Sequence, residues 1–337
     1  MSEMKNYKTD IFTGMRPTSG MSIGNLIGAV KPVLDIVNDK SLGRPMLFVA
    51  DLHSLTTGEP SETQPFVISV LKDYIAAGLD PEKTDLFIQS QIADEVSKMT
   101  MYLSRFVTVS ELLRIPTLKE KIRHGQSETT AKSFLSLYPV MMAADIVLQG
   151  AEYVPTGVDQ YPHMEMTCEI ARKFNKKYGD ILLEPKPLDQ GEPVNILSLS
   201  GNGKKMSKTE PQGAIILSDD IDVSLKKIKR AKTAFAGEMN DGLRSLKIIA
   251  DYVATEEERK EFDSLIDKHI KGEQVMGDFK ELLMISMERF LKDFQGKKAD
   301  ISDDYVLGLT KDGVKKARSN AKEVLEDVEK AMGMLYI

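Results

Sequence analysis

The stretch Ile11–Gly28 reads IFTGMRPTSGMSIGNLIG, and its pattern decides the fold of the chain. A short apolar run is followed by a turn rich in glycine, proline and hydroxyl residues, and then by apolar residues at helical spacing from Ile23 onward. This order predicts a strand, a turn and a helix. The first turn of such a helix has unpaired N–H groups and a partial positive charge, so an open α/β sheet can hold phosphate there. The stretch alone is explained equally well by an ordinary βα unit whose glycines only let the chain turn.

A second group of candidate residues lies far downstream, in SLSGNGKKMSKTEP from Ser198 to Pro211. Lys204, Lys205 and Lys208 stand beside two glycines, and this composition predicts a mobile loop that is too charged to be buried. Lysine is a compact cation that suits a phosphate group. Standing alone, the loop is better explained as solvated basic surface.

The composition is that of a globular protein with an ample core. The 337 residues are 42% hydrophobic and 28% charged, and this length predicts roughly two domains. The first residues form no apolar leader and no run approaches the ~18 apolar residues of a membrane span, so we expect a cytoplasmic protein without a membrane partner. One cysteine, Cys168, and four histidines predict neither a disulfide nor a metal site. Because the net charge is −6, an RNA partner requires a local basic surface.

Short apolar runs that alternate with helical periods predict a parallel sheet. We expect a first helix from about Ile23 to Asp39, kinked at Pro32, and further strands at Pro45–Asp51, Asp85–Gln91 and Glu152–Gly157. The fold class is therefore α/β, with a parallel sheet of the doubly wound type in the first domain.

The domain organisation follows from where these patterns change. The α/β domain is predicted over residues 1–200, with a helical insertion at about 97–137, and the lysine loop over 201–211. Helical periods dominate beyond it, which predicts an all-α domain over 212–309 and a final helix, about Thr310 to Met334, within 310–337 that packs back on the first domain. The first helix of the all-α domain carries a basic cluster that suits RNA phosphates or is simply a solvated face: Lys226, Lys227, Lys229, Arg230 and Lys232.

A carboxylate in an apolar helix is the most informative single residue of the central region. In SFLSLYPVMMAADIVLQG, the residues Tyr138, Met142 and Asp145 share one helix face. Burying Asp145 costs several kcal/mol unless it accepts a hydrogen bond, from the protein or from a ligand. An indole N–H or a phenol O–H is a suitable donor. A purely structural aspartate explains the pattern equally well.

Three further polar residues follow predicted strands. His53 lies just beyond the second strand, where it either lines a ligand crevice or acts as an ordinary loop histidine. Asp159 and Gln160 begin the helix after Gly157. Asp159 suits a ribose hydroxyl, although capping the helix is its simplest role.

Taken together, these motifs resemble the bacterial type of tryptophanyl-tRNA synthetase. The resemblance rests on TGMRPTSGMSIGNLIGA, FVADLH, SLYPVMMAADI, PTGVDQYPHMEMTCEIARKFN and KKMSKT, and it covers most of the chain. SIGN and KMSKT are similar to the HIGH and KMSKS signatures of class I aminoacyl-tRNA synthetases. The resemblance implies a Rossmann catalytic domain, a helical anticodon-binding domain and a homodimer. It also implies L-tryptophan and tRNA(Trp) as substrates, with ATP and the Mg²⁺ that its phosphates carry.

The resemblance also implies a role for each matching residue. The residues implied to contact ATP are Arg16, Ser22, Gly24, Asn25, Gly157, Asp159, Lys205, Met206, Ser207 and Lys208. Lys121, Lys205 and Lys208 are the implied catalytic residues, and the tryptophan pocket is implied to consist of His53, Tyr138, Met142, Asp145 and Gln160. The sequence departs from the family at Arg16, Val158 and Thr209, where many members have glutamine, glutamate and serine. The iron–sulfur cluster of some relatives is excluded by the single cysteine.

We therefore predict ATP-dependent activation of tryptophan and its transfer to tRNA(Trp). The nearest alternative is a tyrosyl-tRNA synthetase. We disfavour it because the pocket glutamine that is usual in tyrosyl-tRNA synthetases is absent from the YPVMMAAD helix. A non-catalytic paralogue should have lost one of the two signatures. A small-molecule nucleotidyltransferase of the same superfamily has no need of a helical domain after the lysine loop.

Overall fold

A computed structural model describes residues 6–56, 58–123, 132–191 and 194–334 of the chain. Its strands are β1 (Thr9–Met15), β2 (Pro45–Val49), β3 (Asp85–Ile88), β4 (Ala151–Thr156) and β5 (Lys186–Asp189). The helices up to β5 are α1 (Ile23–Asn25), α2 (Lys31–Val37), α3 (Asp51–Ser54), α4 (Pro60–Ala76), α5 (Ala93–Leu103), α6 (Val109–Leu112), α7 (Pro116–Arg123), α8 (Ser133–Leu148) and α9 (Tyr161–Tyr178). The remaining helices are α10 (Ile221–Arg230), α11 (Asp241–Val253), α12 (Glu256–Ile270), α13 (Met276–Asp300) and α14 (Asp303–Met332).

The five strands form one parallel sheet in the order β3-β2-β1-β4-β5. The chain leaves β1 toward β2 on one side and later returns to β4 on the other, so the strand order reverses at β1. A crevice for ligands opens at this reversal, beyond the carboxyl ends of the strands. The predicted α/β class is confirmed, and the helices after the lysine loop agree with the predicted all-α region.

Alternating side chains of the strands divide the core between the two faces of the sheet. Ile11 packs in a cluster with α4 and the helices from α10 to α13, whereas its neighbour Phe12 faces α5, α8, α9 and α14. On that second face Phe12 stacks on Phe48 at 4.9 Å between ring centroids, and Phe48 stacks on Phe87 at 5.5 Å. Both faces are therefore covered, as a parallel sheet requires.

The helix predicted from about Ile23 to Asp39 is present over 23–37, but its middle is not α-helical. Residues Leu26–Val30 form a π-helical turn between α1 and α2 that ends two residues before Pro32. Proline has no N–H to continue the α-helical ladder, and such turns often mark functional sites. A side chain at position 28 would also clash with the backbone, because a Cβ at Gly28 would lie 2.5 Å from the Val194 carbonyl oxygen.

The edge strand β5 was not predicted. Its sequence KPLD contains a proline and little apolar surface, so it lacks the pattern of a buried strand. It pairs with β4, Tyr153 opposite Lys186. Contacts with β4, including the ion pair of Lys186 with Glu152, hold this strand in place.

The final helix α14 begins at Asp303, seven residues before the predicted start, with Ser302 as its N-cap. Its Gly313 lies against the backbone of Leu86 in β3, where a Cβ would overlap the Leu86 carbonyl. Gln149, at the end of α8, donates to the carbonyl oxygen of Ala317 at 3.1 Å. The helix thus packs along the sheet, while the division of the chain into domains stays a prediction. None of the described helices is long and apolar enough to cross a membrane.

Candidate active site

The early motif and the lysine loop meet in the folded chain. An alanine Cβ at Gly24 would lie 3.2 Å from Cβ and 3.4 Å from Sδ of Met206, so Gly24 packs closely against Met206. Lys208 Nζ donates to Thr18 Oγ1 at 2.7 Å. Two motifs that lie far apart in sequence therefore form one site beyond the end of β1.

The lysine loop is anchored at its centre. The Met206 N–H donates to the Ile196 carbonyl oxygen at 2.7 Å, and Leu197 and Lys205 form an antiparallel bridge. Met206 is only 4% exposed, so the prediction that the loop is too charged to be buried is wrong for its centre, while Lys205 stays exposed. Burial lowers the pKa of Lys208, and the negative charge of Asp73 acts in the opposite direction.

Ser22 shapes the start of α1. It is fully buried, and its Oγ accepts from the Asn25 N–H at 3.1 Å and donates to Asn25 Oδ1 at 2.9 Å. The Ile23 N–H donates to the Ile215 carbonyl oxygen at 2.9 Å. Two first-turn donors are thus already bonded, which leaves fewer backbone N–H groups for the phosphate predicted at this helix start.

Asp145 is buried, as predicted, and its hydrogen-bond donors come from the protein. His53 Nε2 lies 2.9 Å from Oδ2, and Gln89 Nε2 donates to both carboxylate oxygens at 2.8 Å. His53, Gln89 and Asp145 are 7%, 0% and 4% exposed. Gln89 follows β3 directly and was not among the predicted site residues. The predicted strand Asp85–Gln91 contains Gln89, whereas the observed β3 ends at Ile88 and leaves Gln89 beyond its carboxyl end, as His53 lies beyond β2.

Tyr138 extends this cluster toward α7 and α9. Its hydroxyl lies 3.1 Å from Thr117 Oγ1 and 3.2 Å from His163 Nε2, and those two atoms are 2.7 Å apart. Burial raises the pKa of Tyr138, whereas the hydrogen bond with Thr117 and the positive charge of Arg16 act to lower it. Neither Thr117 nor His163 was predicted, because three separate helices bring these hydroxyl and imidazole groups together.

Surface is exposed at the carboxyl end of the central strand β1. Gly14 lies in that strand and yet is exposed, although a Cβ there would lie 2.6 Å from Phe48 Cζ. Arg16, just after the strand, is also exposed, and Met142 of α8 is only partly buried.

The remaining predicted residues take different places. Gln160 Nε2 donates to Asp159 Oδ2 at 2.7 Å beyond the end of β4, so these two side chains pair with each other in this structure. Gly157 lies beside them, and a Cβ there would lie 3.0 Å from Asp159 Oδ1. Ser207 Oγ lies 2.9 Å from Thr209 Oγ1. The side chain of Lys121 lies outside the residues that the structure describes, although its backbone belongs to α7.

Comparison with known proteins identifies the class of protein. The family model for tRNA synthetases class I (W and Y) matches residues 4–292, which is most of the chain. The doubly wound sheet and the joined SIGN and KMSKT motifs are those of a class I aminoacyl-tRNA synthetase, so the protein is an enzyme of that class.

Individual relatives narrow the assignment. The tryptophan–tRNA ligase of Caldanaerobacter subterraneus is 32% identical, covering 96% of this chain and 98% of the relative, and that of Helicobacter pylori is 31% identical, covering 98% and 100%. The tryptophanyl-tRNA synthetase of Campylobacter jejuni, complexed with ADP and tryptophan, superposes with a TM-score of 0.82 at 27% identity, covering 96% of this chain and 99% of that one. The chain belongs to the tryptophan–tRNA ligase family, and the resemblance predicted from its motifs is confirmed.

Proposed function

We propose that the protein activates L-tryptophan with ATP to tryptophanyl-adenylate and transfers the tryptophanyl group to the 3′ end of tRNA(Trp). The observation that carries this proposal is the contact between the SIGN and KMSKT motifs, where Gly24 lies against Met206. The same chain buries a hydrogen-bonded carboxylate at Asp145. The Campylobacter jejuni relative, which was solved with ADP and tryptophan, supports both ligands.

The tryptophan pocket is assigned to His53, Tyr138, Met142, Asp145 and Gln160. A carboxylate offers about four acceptor positions, and the described hydrogen bonds from Gln89 and His53 occupy three of them at Asp145. The position left on Oδ1 suits the indole N–H. A phenylalanine ligand has no such donor, and a site built around a polar contact rejects the analogue that lacks it by ~10⁴-fold or more.

ATP is assigned to the joined SIGN and KMSKT motifs. We assign its phosphates to Lys205, Ser207 and Lys208 and to the SIGN residues, with Mg²⁺ held mainly by the phosphates themselves. Lys208 is partly buried, and burial lowers its pKa, so bound phosphate would supply the counter-charge that this side chain needs. Gly157 and Asp159 suit the ribose, and Met206 packs under the nucleotide beside Gly24. Lys121 and Arg16 stay candidates for further phosphate contacts.

The proposed chemistry needs position and charge more than a protein nucleophile. The tryptophan carboxylate attacks the α-phosphorus in line, its bond to phosphorus forms, and pyrophosphate leaves. Lys205 and Lys208 stabilise the negative charge that grows on the leaving group. In the second step the 3′-terminal hydroxyl of the tRNA attacks the aminoacyl carbonyl, and AMP leaves.

The partners of the enzyme are part of the same proposal. We assign the anticodon region of tRNA(Trp) to the helical region over 212–309, and a homodimer contact to the catalytic domain. Exposed apolar side chains in the helical insertion support the second assignment, since Met101 is 62% and Val109 is 70% exposed. A cytoplasmic location is expected for an enzyme that charges tRNA.

Replacing Lys208 by alanine tests the proposal. Removing one charge-stabilising donor costs about 10²- to 10³-fold in rate, so kcat of ATP–pyrophosphate exchange should fall by that factor while the tryptophan Kd stays within about twofold. Lys204→Ala is the matched control, because it removes the same charge from an exposed position in the same loop, where Lys204 pairs with Glu210. Equal losses in both variants, or weaker tryptophan binding at an unchanged kcat, would contradict the assigned role.

A further inference from the structure

Phe235 is an exposed aromatic residue in the connection between α10 and α11. At 83% exposure it is the most exposed of the large apolar side chains in the described parts of the chain. The residues before it pack into the protein at Ala231 and Ala234, which are 3% and 8% exposed, whereas residues 236–238 after it are exposed. The side chain therefore projects from an ordered surface, and the catalytic chemistry proposed above does not use it.

The turn that carries Phe235 is held by several hydrogen bonds. The Glu238 N–H donates to the Phe235 carbonyl oxygen at 2.9 Å, and the Gly237 N–H donates to the His269 carbonyl oxygen at 2.8 Å. His269 Nε2 lies 2.8 Å from the Glu238 carbonyl oxygen. Gly237 has φ +88°, a conformation that favours glycine. The end of α12 thus fixes the turn, and the phenyl ring is presented at little conformational cost.

The charge around the turn is positive in a chain whose net charge is −6. Residues 226–238 contain five basic residues and one carboxylate, Glu238. Lys227 is engaged by Asp219 and by the Ala214 carbonyl. The other four basic side chains are exposed: Lys226, Lys229, Arg230 and Lys232. An exposed aromatic ring beside such cations is the arrangement on which single-stranded nucleic acids bind, with bases stacked on the ring and phosphates near the charges.

We propose that Phe235 is a stacking platform for an unpaired base of the tRNA substrate, with the phosphates of that RNA segment held by the basic side chains before it. This proposal rests on the proposed function, because it takes tRNA as the partner. The surface favours RNA over an apolar protein partner, since the exposed side chains over 226–232 are all cations. Lys232 also packs against Gly201 of the lysine loop, because a Cβ at Gly201 would lie 2.6 Å from Cδ of Lys232.

Steady-state aminoacylation by three variants tests this platform. Stacking one base contributes about 1–3 kcal/mol, so Phe235→Ala should raise KM for tRNA by about 5- to 150-fold and leave ATP–pyrophosphate exchange unchanged. Phe235→Leu keeps the apolar character without a ring and should lose as much as Phe235→Ala, whereas Phe235→Trp should retain wild-type KM. Ile285→Ala, at another exposed apolar position in α13, is the control and should have no effect.

Fluorescence of the Phe235→Trp variant gives a direct readout. The chain has no tryptophan, so without added amino acid the introduced indole is the only one present. Stacking should quench its emission when tRNA(Trp) is added. A wild-type KM in Phe235→Ala or Phe235→Leu, or unchanged emission at tRNA concentrations that saturate binding, would overturn the platform and leave the proposed function intact. Absence of tryptophan-dependent exchange in the wild type would instead overturn the proposed function.

Discussion

Replacing Gln89 by leucine tests whether the Asp145 cluster builds the tryptophan pocket. Gln89 is fully buried, and its Nε2 donates to both oxygens of Asp145 at 2.8 Å. A hydrogen bond to a charged group contributes about 1.5–3 kcal/mol, so the variant should lose about that much free energy of unfolding. The carboxylate would then be oriented by His53 alone, and we expect the tryptophan Kd to rise about 10- to 100-fold, or about 1.4–2.8 kcal/mol.

A second buried glutamine provides the matched control. Gln149 is also 0% exposed, but it bonds the Ala317 carbonyl and Asn320, away from the pocket. Gln149→Leu should lose about 1–3 kcal/mol of unfolding free energy and keep the wild-type tryptophan Kd. Chemical denaturation gives the first quantity, and the fluorescence of bound tryptophan gives the second because the protein has no indole of its own. If Gln89→Leu and Gln149→Leu bind tryptophan equally well, the pocket assignment is refuted.

Two further predictions concern stability. Gly313→Ala should destabilise the protein by about 1–3 kcal/mol because its Cβ would overlap the Leu86 backbone. Gly308→Ala in the same helix is the control: a Cβ there would meet nothing within 4 Å, so this variant should be more stable by up to about 1 kcal/mol. Equal unfolding midpoints of the two variants would contradict the close contact of α14 with the sheet. The hydrogen bond from Arg289 lowers the pKa of Glu258 to about 2. This ion pair should therefore contribute about 1–2 kcal/mol to the free energy of unfolding. The contribution should be complete above pH 4.5 and should be lost as the pH falls toward 2. Unfolding of wild type and Glu258→Gln at several pH values measures it, and a pH-independent difference between the two would contradict the assignment.

Local patterns allowed the main parts of the fold to be predicted. The strand, turn and helix of Ile11–Gly28 and the buried strands β2 and β3 carry their own hydrophobic signals, and Asp145 is conspicuous in an apolar helix. The capping box at the start of α12 likewise joins residues three apart in sequence, Thr255 and Glu258. These features depend on residues close together in sequence.

Other features depend on contacts between distant segments. Gln89 is one of several polar residues after β3. It becomes the hydrogen-bond partner of Asp145 because α8 packs beside the ends of β2 and β3. Nothing in the sequence distinguishes Gly28 and Gly313 from other glycines. In the structure the backbones of Val194 and Leu86 lie against them and leave no room for a Cβ. The edge strand β5 has no apolar period of its own. In each case the constraint comes from tertiary packing and is absent from the local pattern.

The most direct test of the proposed function is ATP–pyrophosphate exchange with each of the twenty amino acids in turn, without tRNA. Exchange with tryptophan alone is the predicted result, since it requires both the phosphate site at SIGN and KMSKT and the donor-selective pocket at Asp145. Exchange with tyrosine would keep the chemistry but contradict the assignment of the indole to Asp145. Exchange with none of the twenty would contradict the proposed catalysis altogether.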